Sequence, residues 1–179
     1  MNVKRQIMTQ SVSMVHLASN NSLSYLNRFT QEQIQPNALD LRVESLREID
    51  DTPFLIDEEK KEHRGSHPVS TKDGYWQLEA GKRYEVIFEG VIDIKEGEAG
   101  WVITRSTLNR NGLFLTSGLY DSGYTGVMAG CLHVTCGPAR IKKGTRLGQF
   151  LLFKAESVGS YDGDYGTGSA HDEKYKENG

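Results

Sequence analysis

Two hydrophobic periods run along this chain. In the first 35 residues the pattern is partly helical: "SLSYLNRFTQEQ" sets Leu23, Leu26 and Phe29 three apart, the spacing of a short amphipathic face. Pro36 stops any helix, and "NALDLRVESL" then alternates apolar with polar, as a half-buried strand does. From Tyr75 onward the period is two. "YWQLEA" and "RYEVIFEGVIDI" flank the turn "AGKR"; "AGWVITR", "LFLTSGL", "GVMAGCLHVTC" and "RLGQFLLFKAE" follow, parted by Gly-containing turns. Short strands at short intervals predict a mainly β fold, a sandwich or a barrel. The one interruption is "RSTLNRNGL", where Ser106 can cap a turn of helix that stops at Gly112.

Two stretches lack either period. "DEEKKEHRGSHPVSTKDG", residues 57–74, is charged and almost without apolar residues, which predicts an exposed loop. The tail "SYDGDYGTGSAHDEKYKENG" is rich in Gly and polar residues, which predicts a flexible segment unless a ligand orders it. No internal repeat is present. The chain therefore divides into an N-terminal segment, 1–29, partly helical; a β domain, 30–156; and a Gly-rich tail, 157–179, with the character of a lid.

Composition narrows the partners more than the chemistry. A chain of 179 residues suits one core, and its formal charge of −3 is mixed along the length. That balance predicts neither a nucleic-acid nor a membrane-surface partner. The two cysteines, Cys131 and Cys136, match no zinc spacing, and the histidines at 16, 63, 67, 133 and 171 are scattered, so a protein-held catalytic metal is not expected. Both cysteines read as buried thiols in strand positions, with His133 on the same face as Cys131. No apolar run approaches a membrane span or a secretory leader, so a reducing cytoplasm is the expected setting.

Four short motifs could carry chemistry. In "TRSTLNRNGL" a hydroxyl and free backbone N–H groups beside Arg105 and Arg110 suit an anion, although a capping Ser106 with two surface arginines accounts for the same residues. In "GLYDSGYTG" Asp121 could serve as a general base toward water and Tyr124 as the floor under a flat ring, but "DSGYTG" is also an ordinary turn. Gln149, among Leu147, Phe150 and Leu151, needs a backbone or ligand partner. The glycines of "DYGTGS" leave N–H groups free to approach a phosphate. Together the four suggest a nucleotide at loops of a β fold, and composition and spacing carry the reading no further.

In this order the segments resemble the dCTP deaminase and dUTPase superfamily. "EQIQPNALDLRVE" is similar to the deaminase opening motif, and "WQLEAGKRYEVIFEGVIDI" to the Leu–Pro–Gly stretch, with Ala80 where Pro is usual. "TRSTLNRNGL" resembles the Arg-Ser-Ser-Leu motif, "SGLYDSGYTG" the Asp–Tyr–Gly motif and "KGTRLGQFLLF" the Gly–Ile–Gln strand. The likeness spans about residues 30 to 166. It implies a distorted jelly-roll or barrel-like subunit, a homotrimer with sites at subunit interfaces, and a pyrimidine deoxynucleoside triphosphate whose phosphates carry Mg²⁺. By the same resemblance Arg105 and Ser106 face phosphates, with Ser106 at a subunit boundary. Arg110 matches the deaminase version of that motif. Asp121 serves the sugar and water side, and Tyr124 packs beneath the deoxyribose. Gln149 reaches the phosphates, and Tyr165 closes over the base.

Within the superfamily two reactions compete. Deamination needs a proton-shuttling carboxylate, and the deaminases carry it ten residues after the motif Asp, where this chain has Cys131. No Asp or Glu occurs from 122 to 155 to take its place. The tail departs too, with Asp164 before Tyr165 where Lys is usual and Gly168 where the deaminases have Gln. Diphosphohydrolysis needs only a base for water and cationic or N–H groups for the phosphates, and those parts are present. "DYGTGS" also resembles the dUTPase lid, without its upstream Arg. The sequence thus predicts hydrolysis of dUTP to dUMP and pyrophosphate with Asp121 activating water. A deaminase of dCTP or a modified dCTP, or a nucleotide-binding regulator without turnover, are the alternatives.

Overall fold

The computed structural model describes residues 30–169 and 171–178. The expected N-terminal helix lies outside them. After a 3-10 turn at Gln31–Gln33, the chain forms strands β1 (Ile34–Gln35) and β2 (Ala38–Ile49). Next come β3 (Leu55–Ile56), β4 (Lys61–Glu62), β5 (Ser66–Pro68), β6 (Tyr75–Leu78), β7 (Arg83–Asp93) and β8 (Glu98–Thr104). A single helical turn, α1 (Ser106–Asn109), precedes β9 (Leu113–Thr116), β10 (Leu119–Tyr120), β11 (Thr125–Val134), β12 (Ala139–Lys142) and β13 (Arg146–Lys154). A second 3-10 stretch, Asp172–Asn178, ends the described chain.

The main sheet runs β10–β8–β13–β2–β7–β11–β9, every neighbour antiparallel. It curls, for a reason visible in the pairing. Register shifts interrupt β2 against β7 at Val43/Ser45, β13 against β2 at Arg146/Gly148, and β11 against β7 at Val127/Ala129. Each such bulge bends its strand and adds twist. The curl brings β8 to β9, which stand at distant places in the strand order. There side-chain hydroxyls replace a ladder: Thr104 Oγ1 donates to the Leu115 carbonyl at 2.7 Å and accepts its N–H at 2.8 Å. Ser117 Oγ does the same for Val102, at 3.1 and 3.3 Å. The result is the expected mainly β half-barrel.

Its inside is filled by Leu39, Leu41, Phe88, Val102, Leu115, Met128 and Phe150 with their neighbours, all buried. Fully burying one such side chain contributes about 1.5–3 kcal/mol. Gly148 sits where a Cβ would lie 2.9 Å from both Phe88 and Val102, so the wall can approach the core only without a side chain there.

The structure departs from the sequence reading in four places. Residues 57–74 are exposed but hold backbone pairing: β3 and β4 form a hairpin, and β5 adds to the far half of β2, Arg47 facing Pro68. Strand β12, "ARIK", was not expected; it pairs with β6, Ile141 opposite Trp76. The helical turn begins at Ser106 and its cap position is Arg105, which makes no side-chain capping bond, so Ser106 is not the cap. Cys136 is exposed beyond the end of β11, while Cys131 is half-buried within it.

Candidate functional site

The predicted site residues fall into two groups, one at each end of β8. At the first end, Asp40 on β2 is fully buried with its carboxylate against two guanidinium groups, Arg105 at 3.1 Å and Arg146 at 3.5 Å. Gln149 Nε2 donates to the other carboxylate oxygen at 3.2 Å. Arg105 also donates to the Arg146 carbonyl at 2.9 Å. A buried carboxylate is tolerable only with such partners, and it repays them by holding the two arginines and the Gln in place. Arg105 enters α1 from here, placing Ser106 and Arg110 on the exposed surface. Gln149, read as needing a partner, finds it in Asp40. Asp40 and Arg146 were missed; a lone Asp between Leu39 and Leu41 was the available signal.

At the other end the motif "DSGY" forms a tight turn. The Tyr124 N–H donates to the Asp121 carbonyl at 3.1 Å, and Gly123, third in the turn, has φ +87°, the type II requirement. Ser122 anchors the turn from beneath: it is buried, and its hydroxyl donates to the Glu98 carbonyl at 2.6 Å. The Asp121 carboxylate is thereby left exposed, on the wall of a depression of about 590 Å³ with Ala99 and the 155–163 segment.

Tyr124 turns the other way, into a cavity of about 580 Å³. One wall is the backbone and side chains of Gly118–Tyr120, Val127 and Ala129–Cys131; the facing wall is Tyr161, Tyr165, His171, Asp172 and Tyr175 of the tail. Tyr124 is buried between Tyr120 and Tyr161, ring centres 5.1 and 5.3 Å away, and its hydroxyl donates to the Val127 carbonyl at 2.7 Å. Burial pushes the Tyr120 and Tyr124 hydroxyls well above their ordinary pKa. Both remain neutral donors. Tyr120 serves the β11 bulge, taking the Ala129 N–H at 3.0 Å and donating to its carbonyl at 2.9 Å.

The tail is seated on this turn and the start of β11 in the same chain. The Tyr161 N–H donates to the Ser122 carbonyl at 2.7 Å and the Thr167 N–H to the Thr125 carbonyl at 2.8 Å. Gly126 and Gly166 touch backbone to backbone: a Cβ on Gly126 would lie 2.7 Å from Gly166 Cα. Tyr165 lines the cavity with one edge toward solvent, its ring 4.6 Å from that of His171. Asp164 points away, paired with Lys61 of the β4 strand at 2.5 Å.

Cys131 lines the cavity, and burial raises its thiol above the ordinary value. His133, on the same face, does not line it. One carboxylate that sequence reasoning missed stands directly across from Cys131: Glu85, its register partner on β7. Burial alone would raise its pKa, but hydrogen bonds from Tyr175, Lys174 and Ser66 outweigh that and hold it below the ordinary value. Among the described residues no three His, Cys, Asp or Glu side chains converge as a metal-binding group.

Along β8, the residue beside Asp121 is Ala99 and the arginine end is Arg105; six residues of extended chain span about 20 Å. One chain therefore carries a fixed arginine–glutamine cluster and a tyrosine-lined cavity that do not meet.

A curled antiparallel β subunit with a tyrosine-lined cavity at one end and a fixed arginine pair at the other is a nucleotide-handling architecture. Residues 11–155 match the dCTP deaminase-like family, and the chain belongs to it. Among its relatives, the deoxyuridine 5'-triphosphate nucleotidohydrolase of Methanocaldococcus jannaschii is 31% identical over 83% of this chain and 97% of its own. The "Probable deoxyuridine 5'-triphosphate nucleotidohydrolase" of Aeropyrum pernix is 33% identical over 74% and 84%. That of Methanopyrus kandleri, named in the same words, is 31% identical over 76% and 89%. Among solved structures, the 2'-deoxycytidine 5'-triphosphate deaminase of Agrobacterium tumefaciens shares the fold, with a TM-score of 0.64 at 17% identity over 80% of this chain and 48% of that one.

Proposed function

We propose that this protein hydrolyses dUTP to dUMP and pyrophosphate. Asp121 is the base: its exposed carboxylate takes a proton from water as the water oxygen attacks the α-phosphorus. The bond from that phosphorus to the bridging oxygen breaks, and pyrophosphate leaves with the Mg²⁺ it carries. Arg105, Ser106, Arg110 and Gln149 face the phosphates and offset the charge that develops there. Tyr124 lies under the deoxyribose and Tyr165 closes over the base, with the 157–179 tail as lid on the 30–156 domain and the 1–29 segment preceding it. The Mg²⁺ arrives on the nucleotide, and Asp40, the carboxylate that touches Arg105 and Arg146, is buried and engaged by them.

The observation that carries this reading is the exposed Asp121 on a rigid turn beside a tyrosine cavity, in a chain whose relatives are named for dUTP hydrolysis. The separation of the two halves supports sites built between subunits of a homotrimer. Trp101 and Leu119, paired on β8 and β10 between the halves, are exposed apolar residues suited to an interface. The free thiols, Cys136 exposed, suit a reducing cytoplasm.

Beside the deaminase-like Arg110, Glu85 is the structural feature on the side of dCTP deamination, since it brings a carboxylate to the cavity opposite Cys131. Held ionised by three donors, it is poorly suited to shuttle protons. A product screen decides: protein with Mg²⁺ and dUTP, dCTP, dTTP or UTP, resolved by chromatography and mass, beside Asp121→Asn. The expected result is dUMP and pyrophosphate from dUTP, lost in the variant. Ammonia and dUTP from dCTP would overturn the hydrolase reading, and tight binding without product would make the protein a regulator.

A further inference from the structure

Glu85 divides its carboxylate between the sheet and the tail. One oxygen accepts the Ser66 hydroxyl at 3.0 Å, and that hydroxyl is itself fixed by Arg47 Nε at 3.0 Å. Arg47 is buried and also donates to the Ser66 carbonyl at 2.8 Å, so this side of the group belongs to β2 and β5. The other oxygen accepts only from the C-terminal segment, the Tyr175 hydroxyl at 2.6 Å and Lys174 Nζ at 3.0 Å. The first oxygen is held by the barrel whether or not the tail is in place. The second is presented, already oriented, to whatever the tail brings.

Ser157, bonded to Ser122 at 2.6 Å, and Tyr161, packed on Tyr124, hold the start of the tail; beyond them the other side-chain attachments to the barrel are weaker. Lys61–Asp164 lies fully in solvent, where an ion pair contributes little. The His63 and His171 rings meet at 5.2 Å without a bond between them. Glu85 is the half-buried charged group that the segment engages, and such charge-assisted bonds are the strong ones. Residues 171, 172 and 175 form part of the cavity wall facing Gly118–Cys131, so where Tyr175 is held decides the width of the space for the nucleoside.

We propose that Glu85 is a positioning residue for the reaction: by anchoring Tyr175 and Lys174 it sets the tail wall of the nucleoside cavity in the same chain. It stands apart from Asp121 and from the arginine cluster, and acts through the tail. Its contribution belongs to nucleotide capture, and the proposal rests on the reading of this cavity as the nucleoside site.

The test uses the full chain with Tyr175→Phe, Glu85→Gln and the double variant. Tyr175→Phe removes one hydroxyl at the surface of the barrel and leaves the core intact, so it guards against a folding defect in Glu85→Gln. Each single variant is expected to raise KM for dUTP roughly tenfold or more, the loss of one charge-assisted bond, while kcat stays within about twofold. The double variant is expected to be no worse than the stronger single, because both act through one bond. In nucleotide-free protein, amide hydrogen exchange over residues 165–175 should quicken in all three. A fall in kcat with KM unchanged, full additivity, or unchanged exchange in Tyr175→Phe would overturn the proposal. If the wild type does not hydrolyse dUTP, the proposed activity fails separately. Exchange, with dUMP affinity by calorimetry, still judges Glu85: unaltered values in Tyr175→Phe would refute it and weakened ones support it.

Discussion

The two ends of β8 hold their polar groups in place by opposite means. At the Arg105 end the groups are held by the protein's own interior: Asp40 on a central strand is fully buried and fixes Arg105, Arg146 and Gln149. At the Asp121 end the barrel supplies only one wall of the cavity, and the other wall is a Gly-rich segment from the chain's far end. The first is as stable as the core. The second depends on a few backbone bonds and on Glu85 for its far wall, so it is the more easily opened of the two. The difference also separates what mutation can do: changes around Asp40 act on folding, and changes around Asp121 act on chemistry or on closure.

Asp121→Asn sharpens that contrast most. Because the carboxylate is exposed, stability should not change, while kcat for dUTP falls by roughly 10²–10⁴-fold, the range of a general base. Steady-state kinetics beside a urea melt checks both halves of the statement. Asp40→Asn should behave the other way. It leaves two partly solvated arginines facing a neutral amide, and the loss of the charge-assisted contacts costs about 1.5–3 kcal/mol, read as a lower urea midpoint. Gly126→Ala should cost about 1–3 kcal/mol by forcing a methyl against Gly166 and the Tyr124 hydroxyl, and limited proteolysis should then cut the tail faster.

The smallest effects are those of pH. Burial holds Tyr120, Tyr124 and Tyr175 above their ordinary value of 10.0, so the stability they contribute is complete below pH 10 and lost as pH rises above it. In an absorbance titration these three should ionise only as the protein unfolds, after exposed tyrosines have done so. Glu85 has the opposite sign. Held below its ordinary 4.5, it stabilises the fold above that pH, and the gain is lost as pH falls through the lowered value. Acid should therefore free the tail before the barrel melts, and tail exchange measured down the pH scale would show it.

Much of this was legible in the sequence because it is local. The strands of β2, β7, β11 and β13 announce themselves by apolar alternation, and the Asp121 turn by Gly123 two places on. Strand β12 was not, since Ile141 is the only large apolar residue in its four and its pairing with β6 rests on backbone bonds. The β3–β4 hairpin hid because each strand is two residues long and β4, Lys61–Glu62, lies in the charged run. Ser106 was misplaced by a single residue, within the usual uncertainty of a helix end. Asp40 and Glu85 were missed for a different reason. A charged residue inside a strand carries no local mark of its purpose. Asp40 acquires one only when the fold brings Arg105 and Gln149 to it, and Glu85 only when the tail returns across 90 positions.

The proposed site joins halves from different subunits, and complementation tests that most directly. Ser106→Glu sets a negative charge among the phosphates at an exposed helix start, where folding is not harmed, and Asp121→Asn removes the base. Each variant alone should be inactive toward dUTP. Co-expressed, they should recover about a quarter of wild-type sites, since a random ring joins a sound phosphate half to a sound base half at that frequency. No recovery in a purified mixed oligomer would contradict the shared site, and with it the placing of Arg105 and Ser106 on the phosphates.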